Sequence, residues 1–273
     1  MIISFIIILF VLLAWMICSS PTLVLALGRW VLHRRYDVSL TGAGYINPSL
    51  TYLIVPNHPA IVDPLIVVTE LHRLHLDVRP LVDESFFTNR VARHILDLFD
   101  AVRVPDFRHL SFRPIPKVRP RRRDSVSRAR SLLKVVLGTL NDGRNVLLYP
   151  SGHISEDGRE SMSNRQLAYN VISQLPAGVR VLGVRTRGLY GSIWSRAEGR
   201  PAPSFARTVV KSLLLWPVAC FRSKRNVGIH FEDITDACMG WSTCGRAGFN
   251  ARIERWYDSD PEQIGNSSNE EGA

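Results

Sequence analysis

The chain has 273 residues, a formal charge of +10 and an apolar share of 46%. That length accommodates one membrane anchor and one sizeable α/β domain and excludes a second independent domain. The positive charge favours anionic partners without ranking lipid headgroups, acidic carrier proteins, phosphorylated small molecules and nucleic acid.

Met1 to Gly28 carries no charged side chain, and Ile2 to Ile17 is almost wholly apolar, which suffices for a helix of about 20 residues across or within a bilayer. No basic segment precedes the apolar run, so a secretory signal fits less well. Arg29, Arg34 and Arg35 follow it, which by the positive-inside rule puts the rest of the chain on the cytoplasmic side; a helical hairpin lying in one leaflet fits the same pattern. Residues 1–35 therefore read as a membrane anchor, 36–258 as the folded domain and 259–273 as a polar, disordered tail.

Thr51 to Val55 is short, β-branched and apolar, as a buried strand is, and Pro56 ends it. Pro64 suits a first helical turn, with a helix continuing over Leu65 to Leu76. Strands are expected at Arg79 to Val82 and Ala101 to Val104, around a helix near Asn89 to Phe99. Ser125 caps a helix to about Leu140, Asn141-Asp142-Gly143 ends it, and Val146 to Tyr149 is a further buried strand. Gln166 to Gln174 reads as helix, Val179 to Val184 and Asn226 to Phe231 as strands. This alternation predicts an α/β fold with a mostly parallel central sheet flanked by helices, behind an N-terminal membrane helix or hairpin.

Two segments stand apart in composition. Arg113 to Arg130 is strongly basic, as an anion-facing loop and helix start or a solvated face would be. Thr208 to Phe221 is apolar around Lys211 and broken at Pro217, which suits an interfacial helix or a core helix. The four cysteines, Cys18, Cys220, Cys238 and Cys244, have the spacing of neither a disulfide framework nor a zinc site. No metal or cofactor is expected.

Asn57-His58-Pro59-Ala60-Ile61-Val62-Asp63 is the candidate reactive segment. A histidine can take the proton from an alcohol attacking an activated acyl carbonyl if a carboxylate fixes its tautomer and steadies the imidazolium. Spacing alone does not identify such a pair, because His72 and Asp77 repeat it. His58 differs in following a buried strand at its carboxyl end, where open α/β sheets place their sites, whereas His72 falls within a predicted helix.

NHPAIVD resembles the Asn-His-x4-Asp motif of the glycerolipid acyltransferase superfamily, which includes lysophosphatidic acid acyltransferases. Leu98 to Arg103 resembles that family's second motif, Leu147 to Ser155 its third (usually Phe-Pro-Glu-Gly-Thr-Arg-Ser), and Val181 to Val184 its fourth, in matching order over about residues 50 to 190. Arg185 to Arg196 and Phe249 to Tyr257 are similar to the acyltransferase halves of bacterial proteins that act on lysophospholipids, often joined to acyl-activating domains.

The resemblance implies acyl transfer to the free hydroxyl of a lysophospholipid, 1-acylglycerol-3-phosphate or similar. The donor arrives already activated, as acyl-CoA or an acyl carrier protein thioester. His58 and Asp63 are the implied catalytic residues, and Asn57, Arg103, Ser151, Gly152, His153 and Arg185 the implied substrate-binding residues. The third motif departs from the family pattern: Ser151 replaces its glutamate, His153 its threonine and Ile154 its arginine, so Arg159 or Arg185 is the candidate replacement charge; Gly183 replaces the fourth motif's proline. Acylation of another lysolipid is the alternative within the class. A non-catalytic, membrane-tethered binder of anionic lipid or nucleic acid is the alternative outside it, although no nucleic-acid motif occurs. A serine hydrolase is disfavoured because the Gly-x-Ser-x-Gly elbow is missing.

Overall fold

The computed structural model describes residues 19–105, 122–163, 165–196, 211, 214 and 223–259. Its strands are β1 (Tyr36–Thr41), β2 (Thr51–Pro56), β3 (Val78–Asp83), β4 (Val102–Val104), β5 (Asn145–Leu147), β6 (Val179–Arg187) and β7 (Arg225–Asp233). They form one seven-stranded sheet in the order β1-β7-β6-β2-β5-β3-β4. Every neighbouring pair is parallel except β6 and β7. The mixed, mostly parallel architecture is the one expected.

The helices are α1 (Pro21–Arg35), α2 (Asp63–Arg73), α3 (Arg90–Leu98), α4 (Arg122–Asn141), α5 (Leu167–Ile172), α6 (Thr235–Ser242) and α7 (Gly245–Asp258). Both faces of the sheet are covered, and the period-2 alternation of β2 shows how. Leu53 and Val55 enter a core with Val136 and Leu140 of α4, Val171 of α5, Cys238 of α6 and Phe249, Ile253 and Trp256 of α7. Tyr52 and Ile54 face the other way, towards Leu32 of α1 and Ile66, Val67 and Leu71 of α2. Burial on both faces explains the continuous apolar run in this strand.

Glu70 fastens α1 to α2. Its buried carboxylate accepts from Arg29 Nε (3.0 Å) and Arg73 Nε (2.9 Å) and meets His33 Nε2 at 2.8 Å. Leu23, Leu27 and Trp30 of α1 remain exposed, with the Arg34 guanidinium 4.8 Å from the Trp30 ring centroid.

Among the described residues, no helix is long and apolar enough to cross a membrane. The apolar run Ile2 to Ile17 lies outside the described residues, as do the first half of the basic segment from Arg113, most of Thr208 to Phe221 and all of the tail after Ser259. Arg128 and Arg130 are exposed on α4. Ser259 departs from the tail reading: it caps α7 and binds Arg185. β1, α6 and α7 were not among the expected elements.

The fourth motif's glycine has a steric cause. A Cβ on Gly183 would stand 2.4 Å from Cη2 of Trp256 and 2.9 Å from Cδ1 of Ile234, so the indole of α7 lies where any side chain would go.

Candidate active site

β2 is buried from Tyr52 to Pro56, so the chain leaves the sheet inside the molecule. Asn57 splices this end to β6: its Nδ2 donates to Thr186 O (3.0 Å) and its Oδ1 accepts from Thr186 N (2.7 Å). Asn57, expected to bind substrate, here has both ends of its amide on the backbone of β6. The His58 carbonyl accepts from Ser155 N (2.9 Å), Ile61 N donates to Trp194 O (3.0 Å), and the His58 backbone N–H donates to Glu160 Oε2 (2.9 Å). The His58 loop is thus held by the segments after β5 and after β6.

Asp63 is the first residue of α2 and fully buried, where the positive end of the helix favours a carboxylate. Its Oδ2 lies 2.9 Å and its Oδ1 3.2 Å from His58 Nδ1, and Oδ2 also accepts from Ala60 N at 3.2 Å. An ionised carboxylate only accepts, so Nδ1 carries the hydrogen and Nε2 holds the lone pair. Nε2 hydrogen-bonds to none of the described residues, and the side chain keeps 17% of its exposure. Burial works to lower the His58 pKa, but the charge and hydrogen bond of Asp63, aided by the Glu160 charge, reverse this and raise it above the ordinary 6.5. Burial raises Asp63, against the opposing pull of His58 and the Ala60 N–H.

Tyr149 completes this inner layer. Its ring packs on the His58 imidazole, centroids 4.5 Å apart, and its buried hydroxyl lies close enough to Asp63 to steady that charge without meeting hydrogen-bond geometry. Burial and the Asp63 charge hold the Tyr149 phenol well above 10, hence protonated.

His72 and Asp77 also meet, at 2.7 Å, but with 29% and 89% of their side chains exposed and His72 in the last turn of α2. The same interval therefore makes a pair twice. Burial and the carboxyl end of β2 single out His58.

The remaining site residues fall into two groups. Ser151, Gly152 and His153 lie in the loop leaving β5, the strand beside β2. Ser151 Oγ donates to His153 O (3.0 Å), Gly152 has φ of 59°, and the half-buried His153 places Nδ1 2.9 Å from Ser151 O. Arg103 is the middle residue of β4, three strands from β2, or roughly 14 Å at the usual strand spacing. Register places it level with Pro56 at the same edge, since Ile54 aligns with Leu147, Leu147 with Pro80 and Val82 with Arg103. Its guanidinium stands 4.5 Å from the Phe87 ring centroid and 3.8 Å from Asp97, half exposed.

Arg185, expected to bind substrate, is turned into the protein. It is 2% exposed, lies 4.4 Å from the Trp256 ring centroid, pairs with Glu232 and donates to Trp256 O (3.3 Å) and Ser259 O (3.1 Å). Its charge locks α7 to the sheet. Arg159, the other candidate replacement charge, is exposed.

Sequence reading missed Glu160. It is 5% exposed, and its carboxyl is pushed up to about 6 by burial, against the Ser151 hydroxyl and the His58 N–H. The acidic stretch Glu156, Asp157 and Glu160 was visible, but only three-dimensional placement selects the third. No group of three or more ligating side chains that could hold a metal occurs among the described residues. The site can hold and move a proton at His58 Nε2, which is the chemistry of a general base acting on a hydroxyl.

A family model described as Acyltransferase matches residues 37–185, more than half of the chain. No curated protein matches. Among solved structures, the chain is similar to the 1-acyl-sn-glycerophosphate (LPA) acyltransferase PlsC from Thermotoga maritima, with 16% identity and a TM-score of 0.44, over 72% of this chain and 62% of that one. The chain thus spans less than two thirds of the length of that structure.

Proposed function

The chain belongs to the acyltransferase family, and on that premise we propose that it moves a fatty acyl group from an acyl-CoA or acyl carrier protein thioester to the free hydroxyl of a lysophospholipid. The observation that carries this reading is the buried His58 Nδ1 to Asp63 contact of 2.9 Å, with Nε2 left to a substrate. The acceptor hydroxyl gives its proton to Nε2 as its oxygen attacks the thioester carbonyl. The tetrahedral intermediate then collapses, the carbon–sulfur bond breaks, and the thiolate takes the proton back from the imidazolium. Asp63 keeps the imidazole in the reactive tautomer and steadies its charge between these transfers.

Acceptor recognition is assigned to Arg103 and to the loop of Ser151, Gly152 and His153, which offer a guanidinium and short polar donors to a phosphate at the same edge of the sheet. The exposed Leu23, Leu27 and Trp30 of α1 support a bilayer surface as the working environment, with the catalytic domain on the cytoplasmic side and residues 1–35 as the anchor.

The reading is tested by offering labelled acyl-CoA and acyl carrier protein thioester, with a panel of lysophospholipids, to the full chain in vesicles. Transfer to a phosphate-bearing acceptor is expected. Transfer to water alone, or to no acceptor in the panel, would overturn it.

A further inference from the structure

Glu160 is an expensive residue to keep. A buried carboxylate is stable only where its charge is compensated, and here the compensation comes from the reactive segment itself: the His58 backbone N–H at 2.9 Å from Oε2 and the charge of the His58 imidazole. Asp63 works against it. Its neighbours Ser155 and Met162 are also tied down, Ser155 N to the His58 carbonyl and Met162 N to Glu254 of α7. Asn250 of the same helix donates to Ser163 O (3.2 Å) and Arg165 O (3.1 Å). The loop carrying Glu160 is therefore gripped by α7 on one side and grips His58 on the other.

We propose that Glu160 is a positioning residue of the acyl-transfer site, a second buried carboxylate that fixes the His58 loop through the His58 N–H. Its charge also favours the protonated form of the neighbouring imidazole. It stands in the neighbourhood of Ser151, so the acid absent from position 151 is supplied from a different point in the chain. The groups facing the His58 and Glu160 pair are Asp63 from α2, Tyr149 and Ser151 from the loop after β5, and Tyr257 from α7. This inference rests on His58 as the base, but its test does not require turnover.

The test is the titration of the His58 ring, followed by NMR on the full chain labelled at histidine and assigned by the signal missing from His58→Ala. In Glu160→Gln, which keeps an oxygen for the His58 N–H but removes the charge, the His58 midpoint is expected to move to lower pH. The acid limb of kcat/KM should move with it. Glu160→Ala, which removes the anchor as well, should lower kcat about a hundredfold, as a displaced reacting group does, with KM little changed. Glu160→Gln should recover most of that loss. An unchanged His58 midpoint in Glu160→Gln would overturn the proposal, as would a Glu160→Ala effect confined to KM. If Glu160→Ala fails to fold, the Glu160→Gln titration still decides.

Discussion

Replacing Glu160 with glutamine should make the protein more stable at neutral pH while impairing its site. In the folded chain the Glu160 carboxyl titrates near 6, against 4.5 for an unburied glutamate. Because the folded-state value is raised, the contribution of Glu160 is fully favourable below 4.5 and is lost as pH rises through 6. The difference of 1.5 pH units corresponds to about 2 kcal/mol of destabilisation at pH 7.5. Glutamine carries no charge at either pH, so the stability difference between variant and wild type should grow by about 2 kcal/mol between pH 4.5 and pH 7.5. For a domain of this size that is a relative rise in Tm of about 4–8 °C. Thermal melts of both proteins at the two pH values measure it directly, and any pH-independent change in hydrogen bonding cancels. A constant offset at both pH values, or a variant that loses ground as pH rises, would refute the idea of an under-compensated buried charge.

Other consequences are equally concrete. His72→Ala should leave acyl transfer within about twofold of wild type, since the His72–Asp77 pair is a surface contact of the kind worth at most about 1 kcal/mol; a large loss would mean that the wrong pair has been chosen. The base form of His58 must be neutral, and Asp63 raises its pKa, so kcat/KM should climb with pH along a limb whose midpoint lies above 6.5; a pH profile flat across that range would contradict the assignment. Gly183→Ala should destabilise by about 1–3 kcal/mol through its clash with Trp256, read from denaturant melts.

The alternation of short apolar strands and helices made the fold class legible, because a strand buried on both faces shows an unbroken apolar run, as Thr51 to Val55 does. β1 was harder to see. It lies at the sheet edge with only Tyr36 buried and Val38 and Leu40 half-buried, and Tyr-Asp-Val-Ser-Leu-Thr is too polar to stand out. In the site, the His58 and Asp63 interval was readable because both partners lie within one loop and one helix turn. Glu160 and Arg185 were not, since their partners are far away in sequence: Glu160 acts on His58 across 102 residues, and Arg185 reaches Trp256 across 71. Nothing in the local pattern tells a guanidinium that will bind a phosphate from one that will stack on an indole and pin a helix.

The most direct measurement compares wild type with His58→Ala and Asp63→Asn for acyl transfer from thioester to lysophospholipid, with melting curves taken on the same preparations. Loss of at least about a hundredfold in both variants, with melting temperatures close to wild type, is the result expected if His58 is the base and Asp63 its partner. Transfer that persists in His58→Ala at wild-type rates would contradict it.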